Sequence, residues 1–454
     1  MKDRLQSLTS NRLFWPLLLI VMALLIAGGT LIVLNRQERA ASQRDDTSLV
    51  LRVYFNDRAE RDRLAAELAP EEAATTGGYL TVISDREAYE SMKARGLSVE
   101  IDAEQVRQQD DLKLLAQSNP GLLFGDYRTV EEVYAYMDRL AAAHPTLVEK
   151  LDIGDSWCKL HPGECTQPDS HGGYDLYVLH ITNRDIPGPK PVFWLDAGTH
   201  SREIAGPEMA TRFMGQLLDR YDRDPDSRWL VDWHDIWIMP LVNPDGYRLV
   251  GPDSDRPMKH RKNADNDDGC EVYPSTSDTQ FGTDINRNFP YKWGCCKGSS
   301  TNACEQDYRG PESASEPETQ ALTSQLEQLF PDQRGSSDAD RAPITTTGIY
   351  QALHSYGPLN LIPWGWTDKA APNGKDLLNI GNHMRAGNAF PTGNGYKACR
   401  VGDCLYLADG GSIDWLYGTR GIASFSTELG DNGFFPPYSK LPGLWNENKG
   451  MLTY

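Results

Sequence analysis

Nearly continuous apolar runs recur through most of this chain. They lie at residues 174–182, 191–198, 235–243, 344–354 and 422–429. Runs of this kind are typical of strands buried on both faces of a mixed or parallel sheet. Helix-forming stretches separate them, at 206–220, 316–330 and 373–389. The pattern predicts one large α/β domain over 123–454, with a mixed sheet of roughly eight strands flanked by helices.

The start of this domain has a helix signal at residues 129–145. Thr129 is placed as the N-cap, and Glu132 completes the pattern of a capping box. Before it, residues 49–55, 79–84 and 97–101 have strand character, while 58–68 and 85–96 have helical spacing. We expect a small α+β unit of β-α-β-α-β order within 48–122.

The N-terminus carries the most apolar segment, residues 13–34, which contain no charged side chain. This length suits a helix that crosses a bilayer. Lys2, Arg4 and Arg12 precede it, so the positive-inside rule orients the N-terminus to the cytoplasm. A retained anchor over 1–34 and a cleaved signal peptide both remain open. Either interpretation exports the body of the chain, with residues 35–47 as a polar linker.

Composition narrows the partners and the compartment. The 454 residues carry a net charge of −19, which argues against a nucleic-acid partner. All eight cysteines follow residue 150, and export permits disulfides. Two pairs close in sequence are expected to bridge locally, Cys158 with Cys165 and Cys399 with Cys404. The other four allow three pairings: Cys270, Cys295, Cys296 and Cys304.

Candidate catalytic residues follow the apolar runs. His200 and Glu203 are three residues apart after the run at 191–198, and His354 ends the run at 344–354. Two imidazoles and a carboxylate are a known catalytic zinc set, provided that the fold unites them. Glu428 ends the run at 422–429, where a carboxylate is costly to bury unless it is paired or near a metal. It is therefore a candidate general base.

A second candidate site is the sequence Asn286-Arg287-Asn288. A guanidinium group between amides suits the two-pronged capture of a carboxylate. A surface salt bridge is the plainer interpretation of these residues when they are taken alone.

Seven segments, taken in order, carry a family resemblance. The segments are THSRE (199–203), NPDGY (243–247), DINRNF (284–289), YRGPESASEPET (308–319), HSYG (354–357), GGSIDW (410–415) and FSTEL (425–429). Their order and spacing resemble the zinc carboxypeptidase family of the pancreatic A/B type. The WGCC stretch (293–296) is similar to bacterial carboxypeptidase T-like members.

The resemblance implies roles for individual residues. It implies one Zn²⁺ per chain on His200, Glu203 and His354, with Glu428 activating the zinc-bound water. Arg261 matches the arginine that stabilises the oxyanion, although His260 stands where pancreatic enzymes have Trp. The substrate-binding residues that it implies are Asn286 and Arg287 for the terminal carboxylate, Tyr406 as a capping tyrosine, and Arg202 and Tyr356 in outer subsites.

Specificity is implied by the pocket that receives the C-terminal side chain. Ile413 sits where basic-specific relatives carry Asp, which favours hydrophobic C-terminal residues. Leu361, Val401 and Ala408 match the same pocket and agree. Asp409 borders it, and a free carboxylate there would admit Lys or Arg.

Taken together, the resemblance implies an exported, monomeric zinc metallocarboxypeptidase that acts on the C-termini of peptides or proteins. We expect it outside the cytoplasm, either anchored or secreted. Two other functions stay open: a cell-wall peptide or amino-acyl hydrolase on the same zinc centre, and an inactive binding protein of the same fold. The 48–122 unit occupies the place of a propeptide, as an inhibitor or as a spacer.

Overall fold

A computed structural model describes residues 49–454, apart from 69, 71, 75–77, 104, 108–124, 168–170, 253, 255–256, 277–278, 388–394 and 431–432. The predicted anchor at 1–34 and linker at 35–47 lie outside the described residues. Within the described part, no helix combines the length and apolar character needed to cross a bilayer.

The N-terminal unit has a four-stranded sheet with two helices. Its elements are β1 (Leu49–Tyr54), α1 (Arg58–Leu68), β2 (Glu72–Ala74), β3 (Tyr79–Ser84), α2 (Arg86–Ala94) and β4 (Val99–Ile101), in the sheet order β2-β3-β1-β4. The predicted strands and helices are present, and β2 is an additional short strand. Leu51, Val53, Leu64, Leu80 and Met92 form a core within the unit.

The large domain is built on one eight-stranded sheet. Its strands are β5 (Val148–Asp155), β6 (Asp175–Ile181), β7 (Val192–Ala197), β8 (Asp235–Met239), β9 (Ile349–His354), β10 (Leu359–Ile362), β11 (Lys397–Arg400) and β12 (Ala423–Glu428). The order across the sheet is β11-β10-β12-β9-β7-β8-β6-β5. Pairing is parallel through β12, β9, β7 and β8 and antiparallel beyond β8, so the predicted mixed eight-stranded sheet is confirmed.

Helices pack on this sheet. They are α3 (Val130–Ala143), α4 (Trp157–Leu160), α5 (Ala205–Asp219), α6 (Pro225–Trp233), α7 (Pro244–Val250), α8 (Pro317–Leu329), α9 (Gly374–Gly387), α10 (Val401–Cys404), α11 (Ser412–Arg420) and α12 (Leu441–Thr453). The predicted capping box is present, with Thr129 accepting from the Glu132 backbone N–H and Glu132 accepting from the Thr129 N–H. The two largest apolar clusters of buried residues lie in the large domain.

The disulfides resolve the cysteine pattern. Cys158–Cys165 and Cys399–Cys404 are present, as predicted. Of the three pairings left open for the other four, the structure has Cys270–Cys304 with Cys295–Cys296. The last bridge joins adjacent residues in the loop before Lys297.

Candidate active site

The parallel strands of the sheet bring the candidate residues to one edge. β12, β9 and β7 are neighbours, and their carboxyl ends meet at the same side of the sheet. His354 and Glu428 are paired in register at the ends of β9 and β12. His200 and Glu203 follow β7 immediately. Ligands of α/β proteins commonly bind at this edge.

His200, Glu203 and His354 converge in the interior. The His200 Nδ1 atom lies 2.6 Å from Glu203 Oε1, and His354 Nδ1 lies 3.0 Å from Glu203 Oε2. The two imidazole Nδ1 atoms are 3.1 Å apart. All three side chains are at most 4% exposed as residues. Burial acts to raise the pKa of Glu203, but the two imidazoles outweigh it and the pKa is lowered.

These three residues fit a zinc ion. Ligand atoms about 2.0–2.1 Å from a tetrahedral ion lie roughly 3.3 Å from one another. The distances of 3.0 and 3.1 Å in the triad are close to that value. Two imidazole nitrogens that face each other require a proton or a cation between them, since lone pairs repel. Their donor types, two imidazoles and one carboxylate, are those of catalytic zinc sites.

Asp284 links the triad to Arg261. Its carboxylate Oδ2 accepts from Arg261 Nε at 2.9 Å and lies 2.8 Å from Nη2, while Oδ1 lies 3.4 Å from His200 Nε2. Asp284 is completely buried. Although burial acts to raise it, the pKa of Asp284 lies well below its usual range because Arg261, Arg287 and His200 surround the carboxylate. Asp284 belongs to the DINRNF segment, but no local sequence pattern predicts this role for it.

Arg287 and Asn286 stand on a short 3-10 turn that Asp284 caps, accepting from the Asn286 N–H at 2.9 Å. Arg287 is buried, and its Nη1 donates to the Asn286 carbonyl at 2.9 Å. Its Nε has no hydrogen-bond partner among the residues that the structure describes. A buried guanidinium N–H without an acceptor suits an anionic ligand.

One cleft unites most of the predicted residues. It is lined by the triad members His200 and Glu203 and by Arg261, Asn286, Arg287, Tyr356, Tyr406, Ile413 and Glu428. His354 closes the triad from β9. Burial acts to lower the pKa of His354, but Glu203 and, to a smaller extent, Glu428 outweigh it, and the pKa is raised. Arg202 does not line the cleft directly.

Arg202 packs against Phe434, a residue that no sequence motif pointed to. Its guanidinium lies over the ring of Phe434, 4.2 Å from the centroid, and Tyr356 meets the same ring edge-on at 5.0 Å. Phe434 lines the cleft. No motif singled it out, because it lies in a loop after β12 without periodicity.

The residues predicted to receive the C-terminal side chain lie together. Leu361, Val401, Ala408 and Ile413 all line the cleft. Asp409, expected at its border, is completely buried, and its carboxylate accepts from Cys296 N and Gly298 N instead.

Asp414 does line the cleft, and its carboxylate accepts from the backbone N–H groups of Gly365 and Trp366 at 2.8 and 3.0 Å. Burial raises the pKa of Asp414 to about 7. The carboxylates of Asp409 and Asp414 are therefore both engaged by backbone N–H groups of this chain.

Comparison with known proteins agrees with this arrangement. A zinc carboxypeptidase family model matches residues 133–451. The chain is 33% identical to zinc carboxypeptidase A 1 of Anopheles gambiae over 327 residues, covering 70% of this chain and 65% of the relative. It is 29% identical to mouse carboxypeptidase A2 over 312 residues, covering 69% of this chain and 64% of the relative. The matched region thus spans slightly less than two thirds of either relative.

The fold has a close counterpart among solved structures. The crystal structure of carboxypeptidase A from Helicoverpa armigera superposes with a TM-score of 0.69 at 21% identity, covering 89% of this chain and 96% of the other. The match to the family model extends over most of the chain and includes the zinc triad, Arg261, Arg287 and Glu428. The chain therefore belongs to the zinc carboxypeptidase family.

Proposed function

We propose that this protein is a zinc-dependent metallocarboxypeptidase that hydrolyses the last peptide bond of peptides or proteins. One observation carries the proposal: two members of a His₂Glu triad, His200 and Glu203, line the same cleft as Arg287, a buried arginine whose Nε has no partner among the described residues. The triad suits hydrolysis, and the arginine restricts it to chain ends, because an internal peptide bond offers no carboxylate to bind.

Each residue has a defined task in this proposal. Bound zinc would polarise the scissile carbonyl and lower the pKa of a water toward about 7. Glu428 takes a proton from the attacking water and returns it to the leaving amine. Arg261, held by Asp284, donates hydrogen bonds to the oxygen on which negative charge develops. Arg287 and Asn286 orient the terminal carboxylate, which fixes the reacting bond.

We further propose a preference for hydrophobic C-terminal residues. The supporting observation is that Ile413 and Leu361 line the pocket, while the carboxylates of Asp409 and Asp414 are engaged by backbone N–H groups. An uncompensated cationic side chain is costly to bury in such a pocket. Faster release of C-terminal Arg than of C-terminal Phe from matched dipeptides would contradict this preference.

The small N-terminal unit is proposed to occlude the cleft in the intact chain. Ala65, Ala66 and Pro70 share a small cavity with Arg261 and Arg287.

Two arginines of α1 dock this unit on α10. Arg61 is buried and donates to the Gly402 and Asp403 carbonyls at 2.7 and 3.1 Å. Arg58 adds a bond to the Asp403 carboxylate at 2.9 Å. Equal activity before and after trimming near residue 120 would argue for a spacer instead.

The deciding experiment is the release of C-terminal residues from a peptide library by the full chain, intact and trimmed near residue 120, with and without a chelator. Glu428→Gln is expected to bind zinc normally and to lose hydrolysis by several orders of magnitude, whereas normal turnover would refute the base assignment. Release only from cell-wall peptides would favour that substrate class. A chain that takes up no zinc would be an inactive relative.

A further inference from the structure

The buried carboxylate of Asp409 faces away from the substrate cleft. Its Oδ2 accepts from the backbone N–H groups of Cys296 and Gly298, at 2.9 and 3.0 Å, and Oδ1 accepts from the Ser299 hydroxyl. Asp409 has no exposed surface. Three donors from one five-residue loop thus converge on a single side chain, an arrangement typical of an anion held in a backbone nest.

The shape of that loop is unusual. Cys295 and Cys296 are bridged to each other, and Lys297 has a φ of +64°, in the left-handed region that non-glycine residues rarely adopt. A Cβ on Gly298 would lie 2.6 Å from the backbone N of Asp409, so only glycine permits this approach. The loop and residue 409 therefore fit each other closely.

The residues after Asp409 support the carboxylate-binding pair. Gly410 has a φ of +67°, and a Cβ there would lie 2.2 Å from the Arg287 carbonyl oxygen. The Gly410 carbonyl accepts from the Phe289 N–H at 3.0 Å. The Ser412 N–H donates to Asn286 Oδ1 at 3.0 Å. Residues 410–412 thus bear directly on the turn that presents Asn286 and Arg287.

We propose that Asp409 is a positioning residue for substrate binding: anchored by the 296–299 loop, which begins at the Cys295–Cys296 bridge, it holds residues 410–412 where they support Asn286 and Arg287. This inference rests on the proposed carboxypeptidase function. It assigns no substrate contact to Asp409. Asp409 influences the substrate only by fixing the backbone of residues 410–412. Small errors in the placement of a substrate strongly affect rate and affinity.

The alternative role for Asp409, as an acid that recognises C-terminal Lys or Arg, conflicts with its contacts. A substrate cation would have to displace two backbone N–H groups and a hydroxyl from the carboxylate. Those N–H groups would then be left without acceptors, which is unfavourable.

The test compares Asp409→Ala with Asp409→Asn in protein that is produced as the full chain and then trimmed near residue 120. Alanine removes all three acceptor contacts. Asparagine keeps an oxygen for the two N–H groups, and its amide donates to the Ser299 hydroxyl, which can also accept. For a Phe-terminated dipeptide substrate, we expect Asp409→Ala to raise KM about tenfold or more, with kcat and zinc content within about twofold of wild type. Asp409→Asn should restore KM to within about threefold.

A matched control separates positioning from general stability. Asp224, remote from the cleft at the start of α6, also accepts from a backbone N–H, a serine hydroxyl and an amide. Asp224→Ala is expected to lower the melting temperature and to leave KM unchanged. If the two alanine variants shift KM alike, or if Asp409→Ala lowers kcat and leaves KM unchanged, the proposal is overturned.

A second pair of variants keeps the test valid if Asp409→Ala fails to fold. Replacing both Cys295 and Cys296 by Ser opens the bridge without touching the cleft, and we expect KM to rise several-fold. Opening the Cys158–Cys165 bridge in the same way should leave KM unchanged. An unchanged KM in the Cys295/Cys296 variant would contradict the role of the loop as the anchor of Asp409. A wild-type chain without hydrolysis would instead refute the proposed function.

Discussion

Loss of the negative charge of Asp284 is expected to damage the catalytic centre. Its carboxylate is completely buried and lies 2.8 Å from Arg261 Nη2, 2.9 Å from the Asn286 N–H and 3.4 Å from His200 Nε2. We predict that Asp284→Asn, which preserves size but removes the charge, is strongly deleterious. The two carboxylate oxygens accept from Arg261 and from the Asn286 N–H. In asparagine an NH₂ group replaces one of these oxygens and cannot accept, so at least one of the two bonds is lost.

The magnitude follows from these contacts. Breaking a buried ion pair by neutralising one partner costs about 3–5 kcal/mol, because the other charge stays buried. Loss of the carboxylate behind His200 should weaken zinc binding by about 10–100-fold. Arg261 would lose the acceptor that orients it, and a misplaced oxyanion donor lowers kcat by about 100-fold.

Three assays separate these effects: denaturant unfolding, zinc affinity by competition with a chromogenic chelator, and kcat at saturating zinc. Asp245→Asn is the matched control. Asp245 is equally buried, but burial raises its pKa to about 6, and its Oδ2 accepts from the Cys158 N–H. Neutralising it at pH 7 should cost little stability. If Asp284→Asn is as mild as this control, the electrostatic account of Arg261 is refuted.

Three further predictions follow from other parts of the molecule. Replacing Arg58 and Arg61 together by Ala should raise the activity of the intact chain toward that of the trimmed chain; unchanged activity would contradict docking through α10. Ile413→Asp should increase the rate ratio of C-terminal Arg to Phe about tenfold or more in a dipeptide panel. Burial raises the pKa of Asp265 to about 8 and of Glu316 to about 7. The folded state then binds more protons than the unfolded state, so the free energy of unfolding should fall as pH rises through 7–8. Glu316→Gln should flatten that pH dependence in melting curves.

The predicted strands were confirmed where the apolar signal was strongest. The runs at 174–182, 191–198 and 235–243 became β6, β7 and β8. β5 was missed because its sequence, VEKLDIGD, is half charged and mostly not fully buried. β10 and β11 were missed because each has only four residues, too few to show periodicity. Their position in the sheet comes from pairing with β12 and with each other, which is a long-range property.

Local chemistry and family resemblance predicted the candidate zinc ligands, but they did not show how the fold brings these residues together. His200 and His354 are far apart in sequence, and only the parallel alignment of β7 and β9 brings their Nδ1 atoms to 3.1 Å. Phe434 and Asp284 owe their roles to neighbours that no local pattern names. For the same reason the bridge between Cys295 and Cys296 was one of several open pairings.

By itself, then, the sequence determined the α/β class, the strong strands, the residue types of a zinc hydrolase and the excess of negative charge. These properties depend on periodicity and on side-chain chemistry, which are local. Only the folded chain shows which carboxylates lie at the proposed catalytic centre and which accept hydrogen bonds from backbone N–H groups. Asp409 looked like a substrate-binding acid in sequence, yet its oxygens bind the 296–299 loop. A buried carboxylate takes its role from the donors that the fold places around it, and those donors come from distant parts of the chain.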